Sequence, residues 1–205
     1  MNAGIGTYAS VRNVAADKLV LIPNGISDEV AAAVFFKAMT AQYLVQKTYK
    51  VKAGDVVLVH AAAGGVGQIL AGWAKALGAF VVGTVGSHAQ FAAAKEAGCD
   101  AVVDYSQPNW VEEVIKATGG KKANVVYDSV AKTTFLGSLD CTAPFVTVAL
   151  FGSASGPAPE IQPEIKKGCL FLTRPSVFPN NATAALLKEN AQAVFDAIAK
   201  GHVKV

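Results

Sequence analysis

The sequence predicts an α/β fold built on a doubly wound parallel sheet of six strands. The first observation is a regular alternation of short apolar runs with segments of helical spacing, which is the order of elements in a parallel sheet. The second is composition: 52% of the 205 residues are apolar and 16% are charged, a balance that excludes disorder for most of the chain. The third is a glycine-rich turn between the first strand and the helix that follows it.

Continuous apolar runs are typical of strands that are buried on both faces of a sheet. The predicted strands are residues 56–59, 80–85, 101–105, 124–128, 145–150 and 170–173. Ligands bind such sheets at the carboxyl ends of the strands, so the loops after these runs should line one crevice. Apolar–polar alternation in residues 6–23 predicts two further short extended pieces, and the Gly-, Pro- and Ser-rich residues 152–168 predict a loop.

Capping residues and helical spacing place helices between the strands. Ser27 caps the first helix, whose first turn holds acidic residues that suit the helix dipole. The helix after the first strand ends at Gly78, and Ser87 with Gln90 forms a capping-box pattern that opens the next one. Two more helices are predicted, one between Pro108 and Gly119 and one with Leu187, Ala191, Val194, Phe195 and Ile198 on a single face.

Charge and cysteine usage narrow the class of protein. The net charge is +3, and the 18 Lys and Arg residues are not concentrated in a stripe, so no nucleic-acid surface is indicated. The cysteines Cys99, Cys141 and Cys169 are odd in number and far apart, which argues against a disulfide framework and a structural zinc site. We expect buried free thiols and a reducing, cytoplasmic setting.

The apolar run 56–74 is long enough to cross a membrane, but its pattern does not suit a membrane helix. The run contains His60, Gln68 and two adjacent glycines, and its apolar period changes partway from that of a strand to that of a helix. The first residues also lack the basic and apolar regions of a signal peptide. No membrane association is therefore expected.

The residues Ala-Ala-Ala-Gly-Gly-Val-Gly at 61–67 follow a strand and open a helix, which is the context of a dinucleotide-binding loop in a Rossmann fold. Gly64 lets the backbone approach a pyrophosphate, Gly67 allows close packing of helix and strand, and the helix N-terminus attracts the phosphates. Ala62 replaces the first glycine of the usual pattern. The alternative is a tight turn without a nucleotide, and a P-loop is excluded because no Gly-Lys-Ser/Thr follows.

The second strand carries information on which dinucleotide binds. No acidic residue lies between Asp55 and Glu96, so the carboxylate that would bind the ribose 2′-hydroxyl of NAD and repel a 2′-phosphate is missing. Ser87, Gln90 and the Gly86 amide can hydrogen-bond a phosphate, or Ser87 and Gln90 can simply cap a helix. This pattern favours NADPH over NADH, and it argues against a methyltransferase.

Five motifs in order resemble the zeta-crystallin-like NADPH:quinone oxidoreductases, zinc-free members of the medium-chain dehydrogenase/reductase superfamily. They are Phe-Lys-Ala-Met-Thr-Ala-Gln-Tyr-Leu at 36–44, His-Ala-Ala-Ala-Gly-Gly-Val-Gly at 60–67, Gly-Thr-Val-Gly at 83–86, Val-Tyr-Asp-Ser-Val at 126–130 and Leu-Thr-Arg-Pro-Ser at 172–176. A separate match, Tyr43 with Lys47 to the Tyr-x-x-x-Lys pair of short-chain dehydrogenases, precedes the glycine loop instead of following it and is expected to be chance.

The resemblance implies a two-domain enzyme of which this chain holds one domain. Residues 1–25 would be the end of the catalytic domain, and residues 26–205 the NADPH-binding domain. NADPH would pass a hydride directly to a quinone or related α,β-unsaturated carbonyl, without zinc or flavin. Because the groups that shape the quinone pocket lie largely in the other domain, no catalytic residue is predicted on this chain. The alternative is a dinucleotide-binding protein without turnover, such as a redox sensor or a crystallin-like structural protein.

The resemblance, together with the residue patterns above, assigns a set of cofactor-binding residues. They are Thr40, Tyr43, Gly64, Gly65, Val66, Gly67, Gly86, Ser87, Gln90, Tyr105, Ser129, Val130, Phe151, Gly152, Ser153, Pro175, Ser176 and Val177. Two positions depart from the family pattern. Gln90 stands where the family usually has a Lys that meets the 2′-phosphate, and Ala131 replaces a glycine, where a Cβ would crowd the cofactor if the turn needs a positive φ.

The last predicted strand is apolar on both faces and lies at an edge of the sheet, which is a liability unless it is covered. In the family this edge pairs with its counterpart in a second subunit. The resemblance therefore implies a homodimer joined through Cys169, Leu170, Phe171, Leu172 and Thr173.

Overall fold

The computed structural model describes residues 6–160 and 168–204, and its strands confirm the predicted fold class. The strands are β1 (Val56–Val59), β2 (Phe80–Val85), β3 (Ala101–Asp104), β4 (Ala123–Asp128), β5 (Thr142–Leu150) and β6 (Phe171–Thr173). They form one parallel sheet in the order β3-β2-β1-β4-β5-β6. The order reverses beside β1, so the crevice opens between the carboxyl ends of β1 and β4.

Helices cover both faces of the sheet. They are α1 (Asp28–Tyr43), α2 (Gly65–Ala76), α3 (Phe91–Glu96), α4 (Trp110–Ala117), α5 (Phe135–Asp140), α6 (Val177–Asn180) and α7 (Ala184–Ala199). Helices α2 to α5 connect the strands from β1 to β5, α1 precedes β1, and α6 and α7 follow β6. Ser27 accepts a hydrogen bond from the Val30 N–H at the start of α1, as predicted, and Thr183 caps α7 in the same way. Gly78, Gly98 and Gly119 have positive φ just after α2, α3 and α4.

Alternation along the strands divides the core into two layers. Val57, Val59 and Tyr127 pack with α1, α2 and α7 in one buried cluster. Leu58 and Val126 pack with α4 and α5 in the other. Burial on both faces explains why these strands are continuous apolar runs in the sequence.

The end of α1 is tied to the sheet. A π-helical turn, Leu44–Thr48, continues α1, and the buried Tyr127 hydroxyl of β4 donates to the Leu44 carbonyl at 3.0 Å. Burial raises the pKa of Tyr127 well above its ordinary value, so the phenol keeps its proton and remains a donor. This bond fixes the last turns of α1 beside the carboxyl ends of the strands.

The extended pieces predicted in residues 6–23 form no strand, although Ala15 and Leu19 have extended backbones. The described part of this segment contains one regular element, the 3₁₀ turn Ala16–Lys18, and no strand. A strand requires a partner, and no strand of the described sheet pairs with this segment. Tyr8, Val11 and Leu21 are exposed, so the alternation of apolar and polar residues does not follow burial here.

Strand β5 and helices α5 and α6 also differ from the prediction. Strand β5 begins at Thr142 instead of 145, and its pairing with β4 shifts register between Ala123 and Val125. Residue Phe145, with a φ of 61°, lies in this irregular part of the strand. Helices α5 and α6 are six and four residues long, too short to show helical periodicity.

All three cysteines are free, as expected, but only two are buried. Burial raises the pKa of Cys99 and Cys141 to about 12, so both stay protonated at neutral pH. The expectation of burial is wrong for Cys169, which is exposed. It has a φ of 50° in the turn before β6, outside both core clusters.

Candidate functional site

The glycine loop leaves β1 through a tight turn that opens the N-terminus of α2 toward the crevice. Ala61 takes a left-handed φ of 51°, and its carbonyl accepts the Gly64 N–H at 2.9 Å. Gly64 is the N-cap of α2, and Gly64 and Gly65 are exposed at this helix end. A Cβ on Gly67 would overlap the Ala61 carbonyl and come within 2.8 Å of the Ala62 Cα, so the predicted role of Gly67 in close packing is confirmed.

Ala62, which replaces the first glycine of the usual pattern, is accommodated by a glycine on the neighbouring strand. Its backbone N–H donates to the Thr84 carbonyl at 2.9 Å, and its side chain is fully buried. A Cβ on Gly83 of β2 would lie 2.7 Å from the Ala62 Cβ and would also overlap Cys99. Gly83 thus leaves the space that the Ala62 methyl needs.

Gly86, Gln90 and Tyr105 meet at the carboxyl ends of β2 and β3. The Tyr105 hydroxyl packs on Gly86, where a Cβ would lie 2.9 Å from it. The Gly86 N–H, predicted as a phosphate donor, instead donates to the Gln90 Oε1 at 3.1 Å. Partial burial raises the pKa of Tyr105, and the nearby Asp104 and Asp128 charges raise it further, so the hydroxyl is protonated at neutral pH.

The capping box predicted for Ser87 and Gln90 does not form. Ser87 has an extended backbone, and its side chain makes no capping hydrogen bond to the 3₁₀ turn His88–Gln90 that precedes α3. The reason is the bond between Gly86 and Gln90: the Gln90 side chain reaches back to Gly86, one residue earlier than a capping box requires. The exposed Ser87 hydroxyl therefore lies at the end of β2 without serving as a helix cap.

The turn after β4 is held from both sides. The Asp128 carboxylate accepts the N–H groups of Val130 and Ala131 at 2.8 and 3.0 Å. The Ser129 carbonyl accepts the Ala154 N–H at 3.0 Å, and a Cβ on Gly152 would lie 2.6 Å from that carbonyl. The loops that carry the predicted residues Ser129, Val130 and Gly152 are therefore in direct contact. Ser153 lies in the same loop, where its carbonyl accepts the Gly156 N–H.

Ala131 has a φ of 72°, which confirms that this turn needs a left-handed residue. The family's glycine would take this conformation without strain, whereas the Cβ of an alanine makes it costly. The methyl group is fully buried in the cluster formed with α4 and α5. Crowding of a bound cofactor by this methyl group stays a prediction.

A cavity of about 550 Å³ joins α1, α2 and the ends of β5 and β6. Eight of the predicted residues line it: Thr40, Tyr43, Val66, Phe151, Gly152, Pro175, Ser176 and Val177. Tyr43 is buried, which raises its pKa to about 12, and the Thr40 hydroxyl donates to the Phe36 carbonyl of its own helix. The cavity is mainly apolar, with a few hydroxyl groups at its wall, a combination that suits an aromatic ring with polar substituents.

Four further residues of this cavity are missing from the predicted set: Phe36, Leu150, Arg174 and Phe178. Leu150 is predicted only as the last residue of a strand. Phe36 lies one helical turn before Thr40, so helical spacing from Thr40 and Tyr43 would have found it. Arg174 directly precedes the predicted Pro175. Phe178 directly follows the predicted Val177 in the short helix α6, which the sequence did not indicate.

The side chains of two lysines near the crevice, Lys37 and Lys47, contact different parts of the structure. The Lys37 side chain lies over the glycine loop, where a Cβ on Gly65 would come within 2.9 Å of its Cδ and Cε atoms. Lys47 pairs with Glu189 of α7 at 3.6 Å and lines a different cavity from Tyr43. Tyr43 and Lys47 therefore lie at different cavities, an arrangement that agrees with the interpretation of the Tyr-x-x-x-Lys match as chance.

The strand order and the glycine loop at the β1–α2 turn define a Rossmann-type α/β fold. Residues 65–200 match the family model described as zinc-binding dehydrogenase, and the chain belongs to this family.

The similar proteins include quinone oxidoreductases. One from Salmonella typhimurium is 47% identical over 203 residues, 98% of this chain and 62% of its own length. A 2-haloacrylate reductase from Burkholderia is 41% identical over 96% of this chain and 61% of its own length. The structure of Escherichia coli quinone oxidoreductase complexed with NADPH matches with a TM-score of 0.93 at 43% identity, covering 99% of this chain and 63% of that one. The matches confirm the resemblance, and the chain spans somewhat over three fifths of each relative.

The family description names zinc, but the described residues do not fit a zinc site. Residues 6–160 and 168–204 contain no group of three or more His, Cys, Asp or Glu side chains that could hold a metal ion. Cys99 and Cys141 are buried with raised pKa values, whereas zinc binds the thiolate. Within the same ranges, no helix combines the length and apolar character that a membrane span needs.

Proposed function

We propose that the chain is the NADPH-binding domain of a quinone oxidoreductase. The observation that carries the proposal is the arrangement of the crevice. The glycine loop lies at its centre, Gly86 and Tyr105 meet at the ends of β2 and β3, and the cavity beside α1 holds eight residues that the resemblance assigns to the cofactor. The similarity to an enzyme solved with NADPH supports this assignment.

The two ends of the crevice suit the two halves of the cofactor. The N-terminus of α2 offers free N–H groups to the pyrophosphate, and Ser87 with Gln90 offers hydrogen bonds to a 2′-phosphate. The cavity near Thr40 and Phe151 takes the nicotinamide ring. We call the end at Gly86–Gln90, Tyr105, Ser129 and Val130 the adenosine half, and the cavity beside α1 the nicotinamide half.

The proposed reaction is direct hydride transfer to a quinone or a related α,β-unsaturated carbonyl. NADPH supplies the hydride when it is bound. The protein's part is to hold the ring against apolar walls, which include Phe36, Phe151 and Phe178, and so to keep water from the transfer. The name of the related 2-haloacrylate reductase widens the substrate class from quinones to activated alkenes. Neither zinc nor flavin is part of this proposal.

The proposal also covers the domain organisation of the protein, its cellular setting and its partners. Residues 1–25 are assigned to the end of a catalytic domain and residues 26–205 to the cofactor domain. The free cysteines suit a reducing, cytoplasmic setting. The proposed partners are a quinone or enone substrate and a second copy of the chain, joined through β6.

The test is a titration of the 205-residue chain with NADPH and with NADH, followed by nucleotide fluorescence and by calorimetry. We expect binding of both, with the lower dissociation constant for NADPH. If neither binds, the proposed function is wrong. Assaying the same chain with NADPH and 1,4-benzoquinone tests the alternative: oxidation of NADPH faster than the protein-free reaction would refute a binding protein without turnover. Binding without turnover is the result expected of a cofactor domain whose quinone pocket lies largely in another domain.

A further inference from the structure

His60 forms a buried polar network directly behind the crevice. It follows β1, is fully buried, and has hydrogen-bond partners at both ring nitrogens. The distance from Nδ1 to the Thr84 Oγ1 is 2.7 Å, and the distance from Nε2 to the Ser138 Oγ is 2.9 Å. Thr84 lies on β2 and Ser138 on α5, so one side chain bridges elements on either side of β1.

Each hydrogen bond of this network can be assigned a donor and an acceptor, and the last acceptor is the carboxylate of Asp128. The Ser138 hydroxyl lies 2.9 Å from the Asp128 Oδ2 and donates to it, because an ionised carboxylate only accepts. The Ser138 Oγ then accepts the proton of the His60 Nε2, and the His60 Nδ1 accepts the Thr84 hydroxyl proton. A neutral imidazole satisfies this chain of hydrogen bonds at every step.

Asp128 connects this network to the turn after β4. Its carboxylate accepts the Val130 and Ala131 N–H groups and the Thr134 hydroxyl. These bonds fix the left-handed residue Ala131 and with it the position of Ser129 and Val130. Ser138 joins this carboxylate to the imidazole.

His60 also supports the Tyr105 side of the crevice. Its ring meets the Tyr105 ring edge to face with centroids 6.5 Å apart, and the Trp110 ring at 5.4 Å. Tyr105 in turn packs on Gly86, and Thr84 lies two residues before Gly86. The hydrogen bonds and ring contacts of His60 therefore connect it to residues of the adenosine half. Thr40 and Tyr43 belong to the nicotinamide half, across the glycine loop.

We propose that His60 is a positioning residue for the adenosine half of the cofactor site. It holds the end of β2, the Tyr105 ring and the turn Ser129–Ala131 in one arrangement through its two ring nitrogens and its ring faces. The imidazole never touches the cofactor. This inference rests on the proposed function, because it needs a dinucleotide in the crevice.

The experiment separates the two halves by using fragments. Adenosine 2′,5′-bisphosphate reports the adenosine half by calorimetry, and reduced nicotinamide mononucleotide reports the nicotinamide half by fluorescence. The variants are His60→Leu, which removes both hydrogen bonds, Ser138→Ala, which cuts the bridge to Asp128, and His60→Gln, which keeps a donor and an acceptor. The matched control is Val126→Ala, which opens a cavity in the same buried layer without removing a hydrogen bond of the network.

We expect His60→Leu and Ser138→Ala to lower the affinity for adenosine 2′,5′-bisphosphate by about tenfold, which corresponds to the loss of one buried hydrogen bond. The nicotinamide fragment should keep its affinity, and His60→Gln should recover most of the loss. Val126→Ala should lower stability and leave the ratio of the two affinities unchanged. If His60→Leu does not fold, Ser138→Ala gives the same comparison.

Two outcomes overturn the inference. Equal weakening of both fragments would show that the network serves stability alone, and unchanged binding of the adenosine fragment would show that it positions nothing. A wild-type chain that binds neither fragment nor NADPH would refute the proposed function itself, and the positioning role would fall with it. Wild-type NADPH binding with unchanged fragment affinities in the variants refutes only the role of His60.

Discussion

Ala61 carries backbone strain at the centre of the candidate site. Its φ of 51° is left-handed, a conformation that costs an L-residue with a Cβ about 1–2 kcal/mol. Glycine adopts it without that cost. The Ala61 side chain is only half-buried, so its removal loses little packing. Replacing Ala61 by glycine should therefore stabilise the folded protein.

We expect Ala61→Gly to raise the free energy of unfolding by about 1 kcal/mol, which for a chain of this size raises the melting temperature by roughly 2–4 °C. Thermal unfolding followed by circular dichroism measures the shift. Ala63→Gly is the matched control: Ala63 is not among the residues with positive φ, so this change should lower stability. A lower melting temperature for Ala61→Gly would contradict the assignment of strain to this residue.

In the proposed cofactor site, Gln90 lies at the corner assigned to the 2′-phosphate. Its Oε1 occupies the Gly86 N–H, so a phosphate at this corner competes with a side chain of the protein. Gln90→Lys frees that amide and adds a cation. A charge-assisted hydrogen bond contributes about 1.5–3 kcal/mol, so the NADPH affinity should rise by roughly 10–100-fold while the NADH affinity stays nearly constant.

Paired titrations with NADPH and NADH measure this change in preference. Gln192→Lys is the control, since Gln192 is exposed on α7, where its amide donates to Asp196, and the substitution adds the same charge away from the corner. The assignment of this corner to the 2′-phosphate is refuted if Gln90→Lys raises the affinities for NADPH and NADH equally.

At the scale of the elements, the strands were predictable because burial on both faces leaves a signal in the chain itself. Runs such as 56–59 and 80–85 match β1 and β2 to the residue. Helix α5 leaves no such signal. It forms because Phe135 and Leu139 pack in the core and because Ser138 bonds to Asp128, contacts that exist only after the sheet has assembled.

The same limit applies to the candidate site. The glycine loop is local, so its residues could be assigned from their order and spacing alone. The cavity beside α1 combines α1, α2 and the ends of two strands, and Phe178 enters it from a helix of four residues. The contact between Ala62 and the space left by Gly83 likewise joins a loop residue to the neighbouring strand β2, so spacing shows only that Ala62 departs from the pattern.

Strand β6 is the element on which the proposed dimer depends. In the described sheet it pairs with β5 on one side, and Phe171 is 63% exposed. Phe145 is 70% exposed, and its N–H donates to the Gly168 carbonyl in the turn before β6. Two exposed aromatic side chains beside an open strand edge favour pairing with a second chain.

We expect sedimentation velocity to give twice the mass of one chain at micromolar concentration. Phe171→Lys should shift the protein to the mass of one chain, because a charge on an open edge opposes strand pairing. Phe80→Lys is the control, since Phe80 is an exposed phenylalanine at the start of β2 in the other half of the sheet. A wild-type mass of one chain at all concentrations would show that β6 is not a dimer edge.

At the scale of the whole molecule, the two layers of the core differ in what they bury. The layer with α1, α2 and α7 buries the uncharged amides of Gln42 and Asn190 among apolar side chains. On the other side of the sheet, beside α4 and α5, the polar network of His60, Thr84, Asp128 and Ser138 is fully buried. A network of this kind stabilises the fold only while every member keeps its hydrogen bonds, so it makes the stability of the molecule depend on pH.

Burial lowers the pKa of His60, and the charge of Asp128 opposes this without cancelling it. Thr84, Ser138, Tyr105 and Trp110 also face the ring, and none of them carries a charge at neutral pH. The imidazole is therefore protonated more readily in the unfolded chain, where its pKa is about 6.5. Its contribution to stability is complete above that pH and is lost as the pH falls toward the folded-state pKa.

The expected result is a free energy of unfolding that falls between pH 7 and pH 5, by at most about 1.4 kcal/mol per pH unit for this one proton. Urea unfolding at half-unit intervals measures the slope. His60→Gln, which has no titrating group, should flatten it. His88→Gln is the control, because His88 is exposed and its ring stacks on Phe91, outside the buried network. The same slope in His60→Gln as in the wild type would mean that other groups carry the pH dependence.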